Sequence, residues 1–311
     1  GNGYQISYMN SGKMTNKGWE FRVDAVPFQN KDWRVGVYFN IAHNENKITE
    51  MPDNYIEENY TFGNGNYAYR REEGRPMGSF YGYRYKGVYQ NKDATYARDI
   101  EGNVMKDISG NAIVMRNGSY TVAPGDAIYE DVNHDGVINQ YDIVYLGNSN
   151  PRLTGGAGLN VSYKQFKLSA IFYGRYGQDV VNATRLNNES MRGIDNQSTA
   201  VLRRWRNEGD QTDIPRALYG EGYNTLGSDR FVEDASYLRL KSLSFTYRLP
   251  KKAIQRWGFN NIDVYVTGYN LFTWTKYTGQ DPEVKTENTY ARDTATTPAS
   301  IQLVAGFNLS F

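Results

Sequence analysis

Apolar and polar residues alternate with a period of two through much of the chain, which predicts β-strands with one apolar and one polar face. The pattern starts at Tyr4, Ile6 and Tyr8. It is clearest at Trp19, Phe21, Val23 and Ala25, where Glu20, Arg22 and Asp24 fall between the apolar positions. Turn residues from Pro27 to Asp32 separate that stripe from Trp33, Val35, Val37, Phe39 and Ile41, so the two segments read as a hairpin. A second hairpin follows at Ala157, Leu159, Val161, Tyr163 and Phe166, Leu168, Ala170, Phe172. A third joins Leu243, Phe245, Tyr247 and Leu249 to Ile262, Val264 and Val266, and the chain closes on Ile301, Leu303, Ala305, Phe307, Leu309 and Phe311.

Short turns alternate with connections of tens of residues, and an apolar strand face in water needs a core to cover it. In an outer-membrane barrel that face meets lipid instead, and the polar face lines a hydrated lumen. Glu20, Arg22, Asp24, Arg34 and Asp263 are the charged residues expected on the inner face. The predicted fold class is therefore all-β: a transmembrane antiparallel β-barrel with long extracellular loops. A soluble sandwich or propeller also alternates, but connections this long are unusual there. The expected organisation is barrel strands in 1–42, an extracellular insertion over 43–152, and C-terminal barrel strands in 153–311 with long loops over 175–234 and 273–298. Strand direction allows only an even number of crossings within 43–152. Zero is expected, because the stretch is rich in Gly, Asn, Asp and Tyr.

Composition agrees with strands: 27 Tyr and 31 Gly, with 14% aromatic residues. A mean hydropathy of -0.70 and the lack of a long apolar run exclude a transmembrane helix, but strands that show lipid only every second residue stay hydrophilic on average. The net charge of +1 gives no reason to expect nucleic acid as a partner. Cysteine is absent, which excludes disulfides, thiol catalysis and Cys-ligated zinc. The first residues already alternate as a strand does, with no leader before them, and the chain reads as a fragment.

The sharpest local motif is DVNHDGVINQYD, which spaces Asp131, Asn133, Asp135, Gly136 and Asp142 as positions 1, 3, 5, 6 and 12 of a calcium loop. Asp131, Asn133, Asp135 and Asp142 offer side-chain oxygens and Val137 its carbonyl, so a structural Ca2+ is expected. Position 12 is Asp rather than Glu, and no helices flank the loop; a solvated loop of Asx-turns is the competing reading. Asp281 and Glu283 form the only paired carboxylates with a glycosidase flavour, and their place around Pro282 reads as a turn. His43 and His134 are the only histidines and stand far apart in sequence, which supports neither zinc catalysis nor a triad. Tyrosines at 55, 60, 67 and 69, and at 81, 83, 85 and 89, could stack on sugar rings or simply pack between strands. No catalytic constellation emerges, and the chain is expected not to be an enzyme.

Six segments together resemble the C-terminal half of SusC/RagA-like TonB-dependent transporters of Bacteroidota: GKMTNKGWEF, FYGYRYKGVYQ, DVNHDGVINQYDIVYLGNSNPRLTGG, VEDASYLRLKSLSFTYRLP, VYVTGYNLFTWTKYTGQDPE and VAGFNLSF. The resemblance implies a plugged barrel of roughly 22 strands, of which this chain supplies about eight. It also implies import of oligosaccharides or peptides across the outer membrane of a Gram-negative bacterium. The implied partners are a SusD-like surface lipoprotein, TonB acting through a plug absent from this chain, and outer-membrane lipid. The alternative from another class is a surface glycan-binding or adhesive β-protein without transport.

Overall fold

A computed structural model of the chain describes residues 12–51, 67, 71–220, 222–284, 286–287 and 290–311. The stripe at Tyr4, Ile6 and Tyr8 and the tyrosines at 55, 60 and 69 lie outside these residues. Seven long strands form the main sheet: β1 (Lys13–Gln29), β2 (Trp33–Glu50), β3 (Leu153–Tyr163), β4 (Phe166–Tyr176), β5 (Tyr237–Arg248), β6 (Asn261–Thr275) and β7 (Gln302–Ser310). They pair antiparallel in chain order.

The registers carry each apolar stripe straight across the sheet. Val23 pairs with Phe39, Phe39 with Ala157, Ala157 with Phe172, Phe172 with Leu240 and Leu240 with Phe272. Directly opposed residues share a face, so these rows build one continuous apolar surface. Much of that surface is left uncovered by the described residues: Trp19, Phe21, Phe39, Phe245, Phe272 and Phe307 are all exposed, while Leu240 is buried. The neighbouring row, Arg22, Asn40, Gly156, Tyr173, Arg239 and Thr273, belongs to the other, polar face. On the polar face Tyr38 lies over its pair partner Gly158, where an added Cβ would sit 1.9 Å from the ring. A larger residue at 158 would displace that ring.

One expectation needs correction. The sheet is open: among the described residues β1 pairs only with β2 and β7 only with β6, and seven strands belong to it. The chain is not a closed transmembrane barrel. Closure requires strand number, tilt and shear to agree so that the first and last strands meet, and alternation, a property of each strand alone, carries none of that information. No helix among the described residues is long and apolar enough to cross a membrane, which says nothing of strands.

The two ends of the sheet differ. At one end the strands are joined by residues 30–32, 164–165 and 249–260, and at the other by 51–152, 177–236 and 276–301. The three long connections interlock into a compact body. Ser79–Gly82 pairs with Val144–Asn148 and Tyr85–Val88 with Ala127–Tyr129, both outside the main sheet. Asp179–Asn182 pairs antiparallel with Val232–Asp234 and parallel with Tyr290–Asp293, so the second and third connections share a small sheet. Val180 and Val181, side by side in that strand, point into two different cores, as a strand buried on both faces requires. Backbone bonds also cross between connections, from Tyr83 N to Gly227 O at 2.9 Å. Ala291 N donates to Ser149 Oγ at 2.6 Å.

Candidate functional site

The expected calcium loop is ordered by its own backbone. Asp131 accepts from Asp135 N at 3.2 Å and from Gly136 N at 2.8 Å. Asp135 accepts from Val137 N and from Asn133 Nδ2, at 2.8 and 2.9 Å. Asp142 is fully buried and accepts from Val132 N and Asn139 N, both at 2.8 Å, while Asn139 caps the short 3-10 turn Gln140–Asp142. The Val137 carbonyl, the expected backbone ligand, accepts from Asn139 Nδ2 at 3.1 Å. Burial, with repulsion from Asp131 and Asp135 added, pushes the Asp142 carboxyl upward.

The loop is therefore not the expected structural Ca2+ site. No group of three or more His, Cys, Asp or Glu able to hold a metal ion exists among the described residues, and the loop's carboxylates already accept from its own amides. Asp, Asn and Gly at this spacing suit a set of Asx-turns as well as a cation. The aspartate at position 12 decides between them here, because it turns inward as part of a cap.

The other candidates also resolve into structure. Asp281 and Glu283 both accept from Arg239, whose guanidinium is almost wholly buried, and Lys241 Nζ reaches Glu283 at 2.9 Å. Glu283 N and Ala299 N donate to Asp281 at 2.9 and 3.0 Å, so this pair anchors a loop to β5. His43 Nδ1 contacts Arg152 O at 2.7 Å and His134 Nδ1 contacts Arg98 O at 3.3 Å, each a separate backbone tie. Tyr81, Tyr83 and Tyr89 are buried in the largest core of the loop body and Tyr67 in the second, so their rings have no free face for a sugar. Burial pushes the Tyr89 hydroxyl up to about 12. Of the charges expected on an inner face, Asp24 pairs with Arg22 along β1 and Asp263 with Arg248 across β5 and β6.

Two features are not apparent from the alternation. The first is a hub at Asp126, 0% exposed, which accepts from Arg216 Nε, Tyr120 Oη and Ala123 N at 2.7, 2.7 and 2.8 Å. Asn224 joins it at 3.3 Å, so a single carboxylate ties residues 116–126 to 216–224. Nothing local marks Asp126 as a hub, since Arg216 and Asn224 lie 90 and 98 residues away in the chain.

The second is an eight-residue repeat, visible in the chain as RDIEGNVM at 98–105 and KDISGNAI at 106–113. Asp99 accepts from Glu101 N and Asn103 N at 3.0 and 2.8 Å, and Asp107 from Ser109 N and Asn111 N at 2.8 and 2.9 Å. Asn103 and Asn111 each return a side-chain bond at 3.2 Å. Gly102 and Gly110, at φ 87° and 83°, supply the left-handed residue of each turn. The arms then close in a ring, Ala97 N to Ile113 O, Ile113 N to Met105 O and Met105 N to Ala97 O, at 2.8, 2.9 and 2.9 Å.

These bonds make a pH prediction. Backbone donation from Asn103 and Asn111 holds both aspartates below the usual carboxylate range. A lowered folded pKa means that the turns are fully stable above the unfolded value near ~3.9 and loosen as pH falls through the folded one. Protection of the Asn103 and Asn111 amides from exchange should hold down to about pH 4 and fall below it. Loss of protection well above that pH would count against the turn geometry.

A polar cleft of about 750 Å³ lies where the ends of β2 and β3 meet the loop body. Asn16, Asn44, Asn46, Asn148 and Asn150 line it, with Asp179 and Arg152 at its edge. Amide side chains both donate and accept, and Glu45, Lys47, Arg152 and Asp179 add charges of both signs, so the cleft suits a polar ligand. Burial raises the Asp179 carboxyl. A hollow of similar size, 720 Å³, opens on the apolar sheet face over Gly155 and Gly174, between Phe39, Phe172 and Trp274. Arg175, Asp234 and Lys276 stand among its lining residues.

Curated relatives match along nearly the whole chain. TonB-dependent receptor P3 of Formosa agariphila is 32% identical over 293 residues, covering 92% of this chain and 27% of that receptor. The TonB-dependent receptor SusC of Bacteroides thetaiotaomicron is 28% identical over 311 residues, covering 97% of this chain and 27% of its own length. A solved structure of the RagAB peptide transporter superposes with a TM-score of 0.73 at 27% identity, over 99% of this chain and 31% of the other.

The chain is homologous to part of TonB-dependent receptors. It spans under a third of the relatives it matches, and no family model matches it. The relatives are by name receptors and a peptide transporter.

Proposed function

We propose that the chain is part of a TonB-dependent importer of oligosaccharides or peptides at the outer membrane of a Bacteroidota-type bacterium, working with a SusD-like surface lipoprotein. The observation that carries this reading is homology over 92% of the chain to a TonB-dependent receptor, joined to a 0.73 TM-score with a peptide transporter. The two-ended architecture supports it. The interlocked connections, over 43–152, 175–234 and 273–298, lie outside the cell. The amide-lined cleft at their base meets cargo, and outer-membrane lipid covers the exposed apolar sheet face.

Deleting the gene in its native host and following uptake of labelled oligosaccharides and labelled peptides tests the reading. Uptake of one class should be lost on deletion and abolished in the intact strain when the proton gradient is collapsed. Surface binding that survives without uptake in the intact strain would replace the importer with an adhesive protein, and unchanged uptake of both classes after deletion would sink the proposal.

A further inference from the structure

The short-turn end of the main sheet carries two features that strand pairing does not require. The first is a row of aromatic side chains in direct register: Trp33 pairs with Tyr163, Tyr163 with Phe166 and Phe166 with Tyr247. Ring centres lie 4.3 Å apart for Trp33 and Tyr163 and 4.9 Å apart for Phe166 and Tyr247. Aromatic belts of this kind settle where hydrocarbon gives way to headgroups. The second feature is charge. Connections 30–32, 164–165 and 249–260 hold five cations, Lys31, Lys164, Lys251, Lys252 and Arg256, against the single anion Asp32. All five are exposed, and no ion pair holds any of them among the described residues. The neighbouring Arg248 is neutralised by Asp263 and adds nothing to this excess.

The three connections form one continuous edge. Lys164 N donates to Asp32 O and Arg248 N to Gln165 O, both at 2.8 Å. Within the longest, one helical turn, Lys251–Ile254, follows Pro250, and a 3-10 turn, Gln255–Trp257, ends on Gly258 at φ 78°. Ile254, 0% exposed, anchors this hook, and Phe259 packs on Phe311 just past the end of β7, with ring centres 4.9 Å apart. Lys251, Lys252, Arg256 and Trp257 are left in solvent, with the Arg256 guanidinium carbon 5.6 Å from the Trp257 ring centre.

Position and charge together select the partner. Lys164 directly follows Tyr163 and Lys31 lies two residues before Trp33, so the cations stand just beyond the aromatic belt, at headgroup depth. A zwitterionic headgroup offers them no net attraction, whereas an anionic one attracts each of them. We propose that the short-turn end is a binding site for anionic phospholipid headgroups, with Lys251, Lys252 and Arg256 as its main contacts and Lys31 and Lys164 beside them. The inference rests on the function proposed above in placing this end at a membrane leaflet, and goes beyond it in naming the headgroup.

The test places the full-length receptor in nanodiscs made of equal parts phosphatidylcholine and phosphatidylglycerol. After extraction into a neutral detergent, native mass spectrometry counts how much of each lipid stays bound. Each Lys or Arg near a charged leaflet biases binding by about fivefold, so wild type should retain phosphatidylglycerol over phosphatidylcholine by roughly tenfold or more. Lys251→Gln/Lys252→Gln/Arg256→Gln should lose most of that preference, and in wild type it should shrink as salt rises. Lys251→Arg/Lys252→Arg/Arg256→Lys keeps the charge and should keep the preference. So should Lys92→Gln/Lys106→Gln/Arg203→Gln, a control on exposed cations of the loop body. The altered side chains face water, so all variants should melt as wild type in discs of phosphatidylcholine alone. Equal retention of the two lipids by wild type, or an undiminished preference in the first triple variant, would overturn the headgroup site and leave the membrane reading standing. A wild-type receptor that does not enter the discs would overturn both.

Discussion

Asp126→Ala is expected to open the loop body, at a cost of about 3–5 kcal/mol. The carboxylate is inaccessible to water and is the common acceptor for Arg216, Tyr120, the Ala123 amide and Asn224. Removing it leaves a largely buried guanidinium without its anion and a tyrosine hydroxyl without its acceptor. The damage should be local, because the seven-stranded sheet has its own hydrogen bonds and shares none with the hub. Hydrogen exchange should quicken over residues 116–130 and 216–226 while amides in β3 and β4 keep their protection. Asp126→Asn, which keeps the shape but loses the charge, should fall between. Exchange rates in both segments equal to wild type would show that the hub contributes nothing to the body.

Phe231→Ala is expected to cost a comparable amount, about 3–5 kcal/mol, for a different reason. Phe231 is wholly buried with Phe80, Val181 and Leu186, which come from different connections, and the guanidinium carbons of Arg230 and Arg185 stand 4.8 and 5.7 Å from its ring centre. Alanine leaves a cavity that the surrounding strands cannot fill by moving, and it removes the ring under two cations. Phe231→Leu keeps much of the volume and should recover more than half of the loss. Thermal denaturation followed by near-ultraviolet dichroism of the loop tyrosines reads the difference. A midpoint within experimental error of wild type for the alanine variant would contradict the packing described here.

The two residues differ in how visible they are beforehand. Phe231 immediately precedes VEDASYLRL, part of the family resemblance, and burial is the common fate of a phenylalanine. Asp126 sits in a Pro-Gly turn and looks solvated, because its partners at 216 and 224 are brought to it only when the first and second connections interlock. The calcium motif shows the same limit in the opposite direction. Its residues match the spacing, but the carboxylates of Asp131, Asp135 and Asp142 are satisfied by the loop's own amides. Tyr81 and Tyr83 alternate as stacking residues on a surface do, and they are core.

The sequence by itself determined which residues lie on which face of each main strand, where the short turns fall, and that no metal-based or nucleophilic chemistry using cysteine is available. These are local properties: alternation follows from the two-residue repeat of an extended backbone, and turn residues act within three or four positions. Only the tertiary structure decided that the described sheet stays open, that three connections fold into one body, and whether each loop aspartate serves a cap, an ion pair or a turn. Those outcomes depend on which distant segments meet. The same carboxylate or tyrosine is stabilised in water or in a core according to the partners that arrive, and no short stretch of sequence specifies them.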